Sequence, residues 1–189
     1  KLQQSIGGIE TLYTKTNSDG STDTSAVDKM LQYANQAYKT TGLSANEYME
    51  NVTSFSASLL IACAGDTNKS AEIANKAMVD MADNANKMGT DMGSIQNAYQ
   101  GFAKQNYTML DNLKLGYGGT KEEMERLLKD AQAITGTKYD LNNLADVYTA
   151  IGVIQDKLNI TGTTAKEAEQ TFSGSFAMMK ASVTNLLGN

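Results

Sequence analysis

A glycine followed within two residues by Ser, Thr or Asp recurs along this chain as a stop signal. It stands at Gly42-Leu43-Ser44, Gly65-Asp66-Thr67, Gly89-Thr90-Asp91, Gly119-Thr120, Gly136-Thr137 and Gly162-Thr163-Thr164. Gly enters the left-handed backbone conformation that closes a helix, and the following hydroxyl or carboxylate accepts from the free amides that open the next. Ser44 with Glu47, and Thr120 with Glu123, add the acidic residue three positions on and predict capping boxes. Stops at this frequency predict consecutive helices joined by short turns. Their spacing is unequal, so no fixed-period solenoid is expected.

Between the stops the apolar residues recur at helical intervals. Ala71, Ala74, Met78, Met81, Ala85 and Met88 form a heptad-like seam. Other stripes are Val27-Met30-Leu31-Ala34-Tyr38, Val52-Phe55-Leu59-Cys63, Met124-Leu127-Leu128-Ala131-Ile134 and Leu141-Leu144-Tyr148-Ile151-Ile154-Leu158. A last one runs Ala165, Ala168, Phe172, Phe176, Met179, Val183, Leu186. No segment alternates with period two over a strand's length, and the chain has no Pro. The fold class is therefore all-α, with six to eight helices in a bundle or array.

Helices are expected near 25–41, 45–64, 67–88, 91–104, 120–134, 142–159 and 164–187. Residues 105–118 read either as irregular chain or as a short helix carrying Tyr107, Leu110, Leu113 and Leu115 and ending at Gly116. Residues 1–24 are expected to be a weakly ordered lead-in to a single helical domain over 25–189. A helix over 2–13 competes there with Gly7-Gly8, which cost about 1 kcal/mol each against Ala, and residues 16–24 lack any apolar side chain.

Composition narrows the chemistry. The chain of 189 residues has 16 Lys plus Arg against 21 Asp plus Glu, a net charge of -5, which argues against a dedicated nucleic-acid site. There is no His, so the usual Ser-His and Cys-His nucleophile pairs and most zinc sites are excluded within it. Cys63 lies in the apolar run Leu59-Leu60-Ile61-Ala62-Cys63 and reads as a packed, reduced thiol. No apolar run approaches the roughly 20 residues that span a bilayer. A chain opening on Lys1 without a basic-then-apolar pattern shows no targeting peptide and is expected to be a piece of a longer protein.

Three candidate sites fall short on inspection. An EF-hand loop with Gly20 at its sixth position puts Asp19 and Asn17 well but places Lys15 and Ala26 where two defining ligands belong. Gly116-Tyr117-Gly118-Gly119-Thr120-Lys121 has glycines before a helix, but no strand precedes it and the Lys follows the Thr, the reverse of a phosphate loop. Carboxylates pair at Asp80 and Asp83 and cluster at Glu122, Glu123 and Glu125. The glutamates suit the first turn of a helix. Asp80 and Asp83 fall outside the Ala/Met seam and are expected to be solvated. No catalytic, cofactor-binding or metal-ligating residue is assigned.

The block Ala77-Met78-Val79-Asp80-Met81-Ala82-Asp83-Asn84-Ala85-Asn86-Lys87-Met88-Gly89-Thr90-Asp91-Met92 is the most specific wording in the chain. It continues through residues 94–107, and Met109 to Thr120, Ile160 to Ala168 and Met178 to Leu187 go with it. Over roughly residues 50–187 the sequence resembles tail tape measure proteins of long-tailed phages and prophages of Gram-positive bacteria. The resemblance implies a structural virion component, not an enzyme and without a cofactor. It would be part of the protein that sets tail length during assembly and leaves the tail tube at DNA ejection.

The implied location is the lumen of the tail tube, with the bacterial cytoplasm during assembly. Implied partners are tail tube subunits, tail-tip or baseplate proteins and tail assembly chaperones, with self-association through helices; membrane contact would be confined to ejection. An alternative is a membrane-perturbing helical module acting during genome entry, although the basic polar face it needs is missing. A muralytic enzyme is a third reading, testable through Asp80 and Glu122. The helix stops predict that the segment folds back on itself as a bundle instead of forming one rod.

Overall fold

The computed structural model describes residues 1–169. The chain opens with helix α1 (Leu2–Tyr13), then a small antiparallel hairpin in which β1 (Lys15–Thr16) pairs with β2 (Thr22–Asp23). Helices α2 (Ser25–Asn35), α3 (Ala37–Thr41), α4 (Ala45–Ala62), α5 (Thr67–Met88) and α6 (Met92–Ala103) follow. A 3-10 turn at Leu110–Leu113, α7 (Lys121–Thr135) and α8 (Leu144–Lys157) complete the body, and residues 163–169 are helical again. The all-α class stands. The expected helix over 164–187 lies largely outside the described residues, as does the last apolar stripe from Phe172 to Leu186.

The glycine stops work as the local chemistry dictates at most positions. Gly42, Gly89 and Gly136 sit at helix C-caps with φ of 73°, 67° and 78°. Ser44 caps α4 in a full capping box: its Oγ accepts from Glu47 N, and Glu47 accepts from Ser44 N. Asp66 and Asp91 cap α5 and α6 by accepting from Lys69 N and Ser94 N. Ser44→Ala removes one acceptor and leaves the Glu47 amide at the head of α4 unmatched. It should cost about 1 kcal/mol, read as a lower urea midpoint with unchanged slope.

Three stops differ from expectation. Thr120 accepts from Glu123 N, but the Glu123 carboxylate turns away from the cap to Gly118 N and Arg126, so this is half a box. Thr137 caps nothing; the head of α8 is capped by Asn143, which accepts from Asp146 N. Gly119 is not a left-handed stop but a point of close approach, where a Cβ would lie 2.2 Å from the Thr108 carbonyl oxygen. Because that neighbour is backbone, Gly119→Ala should push the 108–119 loop apart and cost about 1–3 kcal/mol. A urea midpoint equal to wild type would refute the contact.

The expected helix over 25–41 is two helices. The chain breaks at Gln36 (φ -97°, ψ 0°), which rotates Tyr38 outward to 76% exposure and sends Ala37 and Thr41 into the core instead. Ile134 and Leu158, placed on apolar stripes by spacing, are also about half exposed, because each falls at the fraying end of its helix.

The N-terminal segment is built into the body. Ile9 and Tyr13 of α1 belong to the same core as Val52, Phe55 and Leu59 of α4. Ser5 Oγ donates to Asn46 Oδ1 at 2.7 Å, and Tyr13 OH donates to Ser56 Oγ at 2.7 Å. Gly8 faces α4, with Thr53 Cγ2 3.6 Å from where a Cβ would be. Packing therefore offsets the propensity cost of Gly7-Gly8, as tertiary burial commonly does for marginal helices. Among the described residues α1 packs against α2, α4 and α5.

The longest helix, α5, lies at the centre and touches α1, α2, α3, α4, α6 and α8. Over its second half it is buried on nearly every face: Ala77, Met78, Asp80, Met81, Ala82, Asp83 and Asn84 are all inside. Around it Tyr48, Phe55, Tyr99 and Tyr148 fill the space with large rings. Tyr148 of α8 stands edge-on to Phe55 at 5.4 Å and tilted against Tyr99 at 5.1 Å.

Candidate functional site

The feature that demands an explanation is a polar network in the middle of this apolar bundle. Asp80, Asp83, Asn84 and Gln155 are each 0% exposed. This corrects the expectation that Asp80 and Asp83 face solvent. A helix with neighbours on one side exposes the residues opposite its apolar seam, whereas α5 has α6 and α8 packed on that second side as well.

The network is assembled from five segments. Positions 80, 83 and 84 recur at helical spacing and so share one face of α5. Gln155 comes from α8 and donates from Nε2 to the Asp80 carbonyl oxygen at 2.9 Å. Its Oε1 accepts from Asn84 Nδ2 at 2.8 Å. Asn84 Nδ2 also donates to the Leu113 carbonyl at 2.9 Å, and Asn84 Oδ1 accepts from Thr90 Oγ1 at 2.8 Å. Asn84 thereby ties α5 to the 3-10 turn, to α8 and to the turn before α6.

The two carboxylates differ in their company. Asp83 Oδ2 accepts from Gly162 N at 2.8 Å and Oδ1 from Thr164 N at 2.9 Å. Asp80 Oδ1 accepts from Lys76 Nζ one turn back, while its Oδ2 is buried without a hydrogen-bond partner. Gly152 makes room for that oxygen: a Cβ there would sit 2.8 Å from Asp80 Oδ2. Burial pushes the Asp80 carboxyl up to about 6 against the pull of Lys76, with Asp83 and Asp156 adding to the rise. Tyr99 OH is likewise buried without a partner, and burial beside Asp80 holds its phenol well above the usual range.

Above Gly152 a groove of 510 Å³ runs between α5 and α8, lined among the described residues by Ile73, Ala77, Tyr148 and Val153 with Lys76 and Asp156 at its edge. Asp80 does not line it. A pair of carboxylates working as acid and base would face a substrate across a cleft. Here Asp83 is engaged by backbone amides through both oxygens and Asp80 lies beneath the groove floor.

The glycine-rich loop before α7 is closed by its own side chains. Glu123 Oε1 accepts from Gly118 N at 3.0 Å, and Arg126 donates to Glu123 Oε2 at 2.6 Å and to the Gly116 carbonyl at 2.8 Å. Those contacts hold the Glu123 carboxyl down at about 2. The Arg126 guanidinium lies 4.2 Å from the centre of the Tyr117 ring, whose OH donates to Asp130 at 2.5 Å. The Gly118 amide that a phosphate would need is thus occupied by carboxylate and the Glu123 amide by the Thr120 hydroxyl, and Glu122 and Glu123 stand in the first turn of α7 as their spacing implied.

In the polar loop, Asp19 accepts from Ser21 N at 2.9 Å and from Ser21 Oγ at 2.5 Å, which shapes the hairpin turn with Gly20 at φ 87°. Among the described residues no three Cys, Asp or Glu side chains converge as a metal would require. Cys63 is buried behind α4, and burial pushes its thiol up.

Sequence reading passed over the network because each member looked like an ordinary polar helix residue. Its trace was present as polar residues at 80, 83 and 84 matched by Gly152 and Gln155 three apart on a second helix. Compared with known protein families, curated proteins and solved structures, the chain matches none.

Proposed function

We propose that this chain is a structural, non-enzymatic segment of a phage tail tape measure protein. The observation that carries the reading is the wording of residues 77–107, with its continuations to residue 187, which resembles that family. The architecture is compatible with it: the polar residues most suggestive of chemistry are committed to holding helices together. Tail tube subunits, tail-tip or baseplate proteins and assembly chaperones are the partners this role requires. The sites of action are the host cytoplasm during assembly and the tail lumen afterwards.

A bundle is a poor ruler, since its helices double back. In this role the folded form belongs to the chain before it is threaded into a tube, and the helices straighten at their glycine turns once inside. At ~1.5 Å per helical residue, an in-frame deletion of residues 1–169 should shorten the parent phage's tail by about 250 Å. Electron micrographs of mutant particles provide the measurement. Tails of unchanged length would refute the ruler role.

A further inference from the structure

We draw no further inference here: the strongest candidate, the apolar groove between α5 and α8 with the unpartnered Asp80 Oδ2 sealed beneath its Gly152 floor, shares that carboxylate with the polar network already described, and nothing among the described residues shows what covers it.

Discussion

Asp80→Asn should make the protein more stable at pH 8 than wild type, by up to about 3 kcal/mol, and should remove a fall in stability between pH 4 and 6. The figure follows from a carboxyl raised from 3.8 to about 6 on folding, at about 1.4 kcal/mol for each pH unit. Because the folded value is the higher one, the native state holds its proton after the unfolded chain has released it. Stability from this group is full below pH 4, declines as the pH rises, and levels off above about 6.

The groups facing Asp80 are Lys76 and Asp83 on its own helix, Asp156 on α8 and Tyr99 on α6. Only Lys76 favours the charged form, and half of its side chain is in solvent, which weakens its hold. An amide at position 80 loses that ion pair, so the full 3 kcal/mol is an upper bound. Carboxylates at the surface such as Asp19 and the half-buried Asp23 and Glu123 are held low by their own hydrogen bonds and tilt the profile the opposite way. The difference between variant and wild type cancels them. Urea denaturation at pH 4, 6 and 8 supplies it, and parallel curves for the two proteins would refute the assignment.

Tyr148→Ala should cost about 3–5 kcal/mol, the range for deleting a large buried ring. Tyr148 is 2% exposed, its ring meets Phe55 and Tyr99, and its OH donates to the Tyr99 carbonyl at 2.7 Å. It joins α8 to α4 and α6, so the cavity would open where three helices meet. Tyr148→Phe keeps the ring and should cost about 1 kcal/mol for the lost hydrogen bond. Equal losses in the two variants would place the energy in the hydroxyl instead of the packing. Thermal or urea unfolding distinguishes the cases.

Much of this architecture was legible before any coordinates. Ser44-x-x-Glu47 had to open a helix, Gly42, Gly89 and Gly136 had to close them, and Val52-Phe55-Leu59-Cys63 had to face a core. Each of these rests on interactions within about one helical turn, or on a periodicity that any buried face imposes. Tyr38, Ile134 and Leu158 kept the periodicity and still faced outward, because a break at Gln36 and the ends of α7 and α8 shifted them off the buried face.

The repeating stops and the apolar stripes between them determined that the chain folds as successive short helices turning back on one another. The tertiary structure alone decided that Asp80 and Asp83 lie inside, that Gly119 marks a close approach, and that Asp83 caps a helix about eighty residues later. Local sequence shows which face of a helix is apolar but not how many neighbours will surround it. Only when α6 and α8 close over the second side of α5 does an ordinary polar face become a buried network, and burial is what raises Asp80 and commits Asp83 to the amides of a distant turn.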